Sequence, residues 1–222
     1  MDKKLLYYGG IFGPIIFLLN DIIGSIITEN YSPITHAVSE LTQAGAENAV
    51  LLSSIFLIAG IMLAIFGIGI ALHYKYSESK LIFLGGIFIM FLGIFSALSG
   101  TIFPMDPFDT EATFAGNMHI IITGVNIILI TLAIPMIGIG LNRLKKWKSF
   151  RLYSIITVLI MIIFGVSTSF LVMNDIELLG LFERVTIYAY QSWIFVLAYL
   201  FLKQKSEQEN SSDDTERRQE RE

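Results

Sequence analysis

Seven polar side chains are of the types that do chemistry: Asp21, His36, Ser39, Glu40, Asp106, His119 and Arg184. Histidines and carboxylates hold metal ions or exchange protons. A serine near a histidine can serve as a nucleophile, and an arginine clamps a carboxylate or phosphate. Three of the seven fall in one short segment. With Ser32 as cap, Pro33 in the first turn and Gly45 as terminator, the segment predicts a helix. His36, Ser39, Glu40 and Gln43 would share one face of it, and Ile34, Val38 and Leu41 would form an apolar stripe on another. That spacing admits a shared hydrogen-bond network, or a His–carboxylate pair contributing to a metal site.

The frame that must position these residues is set by composition. The chain has 222 residues, 54% apolar and only 15% charged, with no cysteine and a mean hydropathy of +0.68. A soluble domain carries about 25% charged residues. Here 12 of the charged residues crowd into positions 203–222, so the remainder is more apolar still. An ordinary cytosolic globule, a nucleic-acid binder and a disulfide scaffold are excluded.

Crossing roughly 30 Å of hydrocarbon takes about 20 apolar residues. Six stretches qualify: Leu5–Ile27, Ala49–Leu72, Leu81–Phe103, Met118–Leu141, Leu152–Met173 and Val185–Leu202. Each must be helical, because lipid satisfies no backbone group. The expected fold is therefore all-α: an integral membrane bundle of six transmembrane helices, with a short amphipathic helix in the first outer loop. The first stretch follows Lys3 and Lys4 but exceeds a signal-peptide core and lacks a cleavage site, so it reads as a retained helix. Residues 1–202 make the transmembrane domain. Residues 203–222, polar and of both charge signs without an apolar face, read as a disordered cytoplasmic tail.

Charge sets the orientation. Fourteen of the 15 basic residues fall on the side holding both termini, while Arg184 alone lies opposite. That opposite side carries nine acids: Glu29, Glu40, Glu47, Asp106, Asp109, Glu111, Asp175, Glu177 and Glu183. The basic side, including Lys145, Lys146 and Lys148 around Trp147, is expected to be cytoplasmic. The expectation is an integral protein of a prokaryotic plasma membrane with both ends inside, its polar site facing out.

Depth adds a constraint. Asp21 lies six residues below the outer end of the first span, roughly 9 Å at 1.5 Å per residue. A lone acid there costs about 2–3 kcal/mol, so it should face the bundle. Arg184, the one outer base among nine acids, is expected to form a salt bridge to Asp21, Asp106 or Glu40. Pro104 should end the third span just before Asp106, and His119 follows the Gly116-Asn117 turn at the same surface. His73, at the other end, reads as structural. Gly9 and Gly13 allow close helix packing within this chain or in a homo-oligomer. Asn126 and Pro135 in the fourth span are the only deeper irregularities, and the sixth span is shorter and contains Gln191.

The run Thr35-His36-Ala37-Val38-Ser39-Glu40-Leu41, followed by Ala44-Gly45, resembles the S-H-x-x-S-E-L…G signature of the DUF998 family. Phe103-Pro104-Met105-Asp106, the later His119, and Glu183-Arg184-Val185 fit the rest of its pattern. Thr35 stands where the signature has serine and keeps the hydroxyl. The resemblance covers about Leu5 to Leu202. It implies an integral membrane protein of about six helices and points to the same outer residues, and it supplies no reaction.

Three functions remain open at this stage. The favoured one is a multi-pass protein whose outer polar site binds a lipid head group or small solute, without catalysis. The alternative is a metal-dependent membrane hydrolase acting on a lipid amide or ester, with zinc held by His36, Glu40, Asp106 and His119. Against it, no H-x-x-x-H pair exists. The third is a small-solute or proton-coupled transporter, disfavoured because the ionisable residues cluster near one surface rather than at mid-membrane. The expected partner is membrane lipid and not nucleic acid.

Overall fold

Apolar length alone accounts for the architecture of the computed structural model, which describes residues 6–77, 79–108, 110–144, 147–174 and 176–219. Expectations placed on Lys3, Lys4, Leu5, Asp109, Lys145, Lys146, Asp175 and Arg221 lie outside these residues. Six helices follow one another: α1 (Gly9–Ile27), α2 (Ala49–Tyr74), α3 (Lys80–Thr101), α4 (Phe114–Arg143), α5 (Lys148–Met173) and α6 (Leu179–Gln219). All six are long and apolar enough to span a membrane, and no strand occurs among the described residues.

Two boundaries differ from the expected ones in ways that matter. α6 starts at Leu179, so Glu183 and Arg184 lie inside its first two turns rather than ahead of it. α6 also runs on to Gln219, through the segment read by composition as a disordered tail. The Glu, Gln, Lys and Arg residues of that segment are good helix formers, and a preformed span removes the cost of nucleation.

The helices form a ring. Each packs on its neighbours in sequence, and α1 meets α6 to close the circle. The half nearer the termini is filled solid by Phe66, Ile70, Ile82, Ile134, Ile137, Trp193 and Ile194, all fully buried. Even the Trp193 indole is satisfied there, its N–H donating to Ser154 Oγ at 2.9 Å. His73 sits at this end, 2.8 Å from the Tyr7 hydroxyl, in the structural role expected of it. Large apolar side chains such as Ile26, Ile120 and Val166 point outward, as lipid-facing positions require.

Glycine sets how closely the helices approach. A Cβ at Gly67 would collide with Met90 N and sit 2.7 Å from Gly86 O; one at Gly93 would collide with Ala64 N and sit 2.6 Å from Gly60 O. α2 and α3 are therefore in backbone contact along a seam repeating every seven residues. Gly9 and Gly13 serve α1 against α2 in the same manner, facing the backbone at Phe66 and Ala59.

The segment between α1 and α2 corrects an expectation. In place of an amphipathic helix beginning near Ser32, only a five-residue 3-10 helix forms, Val38–Thr42. The α-helical ladder would pair Ala37 N with Pro33 O and Val38 N with Ile34 O. Instead Ala37 N donates to Glu40 Oε1 (2.6 Å) and Val38 N to Glu183 Oε2 (2.7 Å). Pro33 O is taken by Arg184 at 2.7 Å and Ile34 O by Leu181 N at 2.9 Å. A local cap from Glu40 has taken one end of the first rung, and tertiary partners have taken the other three ends.

Candidate functional site

Arg184 organises the end of the ring opposite the termini. Its Nε and Nη2 donate to Asp21 Oδ2 and Oδ1 at 3.0 and 2.8 Å, a two-pronged pair joining α6 to α1 where the ring closes. Asp21 is 1% exposed and Arg184 6%, so the acid faces helices as its cost demands. The Tyr188 hydroxyl also donates to Asp21 Oδ2. The rest of the guanidinium is spent on the loop above. Nη1 reaches Pro33 O (2.7 Å), His36 O (2.8 Å) and Gly180 O (3.2 Å), and Nη2 reaches the Tyr31 oxygen (2.5 Å). Tyr31 passes the link on by donating to Ala37 O at 2.7 Å. Every N–H of Arg184 therefore has a protein acceptor. Gly180 is required beneath this loop, since a Cβ there would collide with His36 O.

The loop is thereby strapped across the bundle. The Ser39 hydroxyl donates to Met105 Sδ (3.2 Å) and Ala44 N to Met105 O (2.8 Å), tying it to the segment after α3. Gly45, at φ +83, takes the left-handed turn that leads toward α2. Glu40 is buried within the strap, and burial pushes its carboxyl pKa above the usual 4.5. The Ala37 N–H, His36 and Arg184 oppose that shift without cancelling it. A carboxyl with a raised folded-state pKa favours the protonated fold. Its contribution is complete below the ordinary value and is lost as pH rises through the raised one. Glu40→Gln keeps an acceptor for Ala37 N and removes the titration. Thermal melts from about pH 4 to pH 7 should therefore show wild type losing stability relative to the variant. Parallel curves would remove Glu40 from the account.

The remaining candidates do not converge. The His36 ring turns back on its own loop, Nδ1 accepting from Ser32 N (3.1 Å) and the Thr35 hydroxyl (3.0 Å). Asp106 accepts from Thr113 N (2.7 Å) and Thr113 Oγ1 (2.8 Å), fixing the start of α4, where Thr113 in turn caps Gly116 N. His119 places Nδ1 2.9 Å from Phe103 O and 3.1 Å from Ser99 Oγ. A carbonyl only accepts, so Nδ1 carries the proton and Nε2 is an acceptor when the ring is neutral. The shared depth of His36, Asp106 and His119 thus conceals three separate networks. Among the described residues no group of three His, Asp or Glu side chains is placed to hold a metal ion, so the set His36, Glu40, Asp106 and His119 is not assembled as one site.

In the half beneath the strap the ring surrounds a half-open cavity of about 340 Å³. That is within the range of small-molecule sites. Its walls are mostly apolar, with Phe17, Phe56, Leu63 and Leu92 among them, and Ser39 and Val38 contribute from the strap. Polar groups interrupt this lining, among them Ser99, His119, Asn126, Glu183, Tyr190 and Gln191. Asn126 Oδ1 and Gln191 Oε1 are buried with no hydrogen-bond partner. Sequence reasoning placed Asn126 and Gln191 in their spans but gave neither a role. The available signal was two amides in otherwise apolar helices.

The DUF998 family model, described as a protein of unknown function, matches residues 11–200. No curated protein and no solved structure matches the chain.

Proposed function

The chain belongs to the DUF998 family, whose description carries no activity, and from that premise we propose that it is a ligand-binding protein of the membrane. The cavity holds a small, largely apolar molecule bearing a hydrogen-bonding group, either a lipid-like amphiphile or a small solute. The strap of residues 31–45 closes its outer end, and the basic side of the bundle faces the cytoplasm of a prokaryotic cell. The reading departs from a head-group site built on Arg184, because that guanidinium has no N–H left to offer.

One observation carries the reading: the helices surround a mostly apolar cavity of about 340 Å³ into which a few polar side chains, His119, Glu183 and Tyr190 among them, are set. Apolar walls with a small number of placed polar groups are the make-up of small-molecule sites. Gly165 provides the test. It lines the cavity, and a Cβ there would meet only Thr186 Cγ2 at 3.7 Å and Oγ1 at 3.9 Å, ordinary contact distances. Gly165→Leu should fold and fill the space. Mass spectrometry of small molecules retained through purification should find one amphiphile near stoichiometric amounts in wild type, and about tenfold less in the variant. Equal retention in both, or an empty wild type, would end the proposal.

A further inference from the structure

The cavity opens sideways. Of the residues that line it, only Thr123 and Ile127, one turn apart on α4, are exposed on the outside of the bundle. The strap roofs its outer end, where Ala37, Val38 and Thr42 are buried and Ser39 is half-buried. The mouth lies between α4 and α5. These two helices meet toward their inner ends, where a Cβ at Gly138 would lie 2.8 Å from Ser154 Oγ. Nearer the strap they part: a Cβ at Gly124 meets nothing within 4 Å, and one at Gly165 meets only Thr186 of α6.

Depth decides what the mouth faces. The apolar run of α4 begins at Met118, so Thr123 and Ile127 lie five and nine residues below its outer end, about 8 and 14 Å at 1.5 Å per residue. Half of the hydrocarbon core is about 15 Å thick. The opening therefore meets the acyl chains of the leaflet on the strap side, below the head groups and away from water. The interior is graded in the same sense. The carboxylate and imidazole of the lining, Glu183 and His119, sit at the strap end, and Leu63, Leu92, Ile130 and Met161 make up most of the inner end, beside Tyr190 and Gln191.

Resting on the reading of the cavity as a binding site, we infer that its occupant is a single-chain amphiphile taken sideways from the bilayer through the α4–α5 mouth. It lies parallel to the lipids of the strap-side leaflet, polar end toward Glu183 and His119 and tail against the inner wall. A volume of about 340 Å³, at the small end of ligand sites, takes one chain and not the two of a phospholipid. The lining sets the hydroxyls of Ser99, Thr123 and Tyr190 beside the Glu183 carboxylate, so it offers both donors and acceptors to the polar end. A hydrophilic solute meets the strap at one end and hydrocarbon at the mouth. The route thus selects molecules already dissolved in the bilayer.

The full chain in lipid nanodiscs tests this, with a monoacylglycerol carrying a photoreactive diazirine midway along its tail, and a phosphatidylcholine with the same group on one chain. After irradiation, peptide mass spectrometry should find the monoacylglycerol on Leu63 and Leu92, which are buried in the cavity wall, as well as on Ile58 and Ile163, which face lipid. Ile127→Trp puts a larger ring in the mouth and should cut labelling of Leu63 and Leu92 about tenfold, leaving Ile58 and Ile163 unchanged. If that variant does not fold, Thr123→Phe takes its place. Labelling of Leu63 and Leu92 that the mouth variant does not reduce overturns the sideways route, and equal labelling by the phosphatidylcholine overturns the single chain. Labelling confined to Ile58 and Ile163, in a wild type that still retains a molecule through purification, overturns the inference while leaving the cavity a binding site. The same pattern in an empty wild type overturns the cavity reading as well.

Discussion

Replacing Arg184 with alanine is expected to cost about 3–5 kcal/mol of stability, the range for breaking one side of a buried ion pair. Asp21 would be left as a carboxylate, 1% exposed, with only the Tyr188 hydroxyl to serve it. The backbone carbonyls of Pro33, His36 and Gly180 would lose their shared donor, and Tyr31 would lose its link to α6. The strap should loosen together with the α1–α6 closure. Arg184→Lys keeps the charge but cannot span Asp21 and three carbonyls at once, so it should recover only part of the loss. Replacing Arg184 and Asp21 together with leucine should restore more than either single change predicts, because no charge is then stranded. Thermal denaturation in detergent, with the four-variant cycle, measures the coupling. A loss below about 1 kcal/mol for Arg184→Ala, the size of an exposed pair, would show that the clamp does not hold the ring.

The second large effect is expected at Gly67. Gly67→Val should lower stability by about 1–3 kcal/mol, the cost of overpacking, because what faces its missing Cβ is the backbone of α3 and not a side chain that can turn away. The helices must part, and the seam through Gly60, Gly86 and Gly93 must open with them. Gly124→Ala is the matched control, since a Cβ there meets nothing within 4 Å. Comparable melting of both variants would mean that the α2–α3 contact is not close-packed.

Much of the fold was legible because a bilayer imposes a rule of composition. Six apolar runs became six helices; α4 starts four residues early behind the Thr113 cap, α6 starts six residues early at Leu179, and α3 stops two residues short of Phe103. Arg184 was readable as the partner of an outer acid because it is the one base on that side, but Asp21, Asp106 and Glu40 were equal candidates until α1 and α6 were seen to meet. The site was less legible, for a geometric reason. Sequence gives depth along the bundle axis but not direction around it, so His36, Asp106 and His119 looked like neighbours while serving separate networks. Gln191 and Asn126 have the converse history: single amides in separate spans gain meaning only once both are seen to line one space. The strap hid behind a valid pattern. Val38 and Leu41 of its apolar stripe are indeed buried, but Glu183, 145 residues away, bonds the N–H that an α-helix would have used. The α2–α3 seam was written in the seven-residue spacing of Gly60–Gly67 and Gly86–Gly93.

The closure of the ring by its first and last helices has a consequence in time. Asp21 and Arg184 are 163 residues apart, and every helix but the last is made before Arg184 exists. At about 5–20 residues per second, a chain emerging from the ribosome spends on the order of ten to thirty seconds with Asp21 unmatched. Throughout that interval the first helix must hold its acid out of lipid, against the insertion machinery or a passing protein chaperone. The latch that finishes the protein is thus also the reason its opening helix cannot be released to the bilayer early.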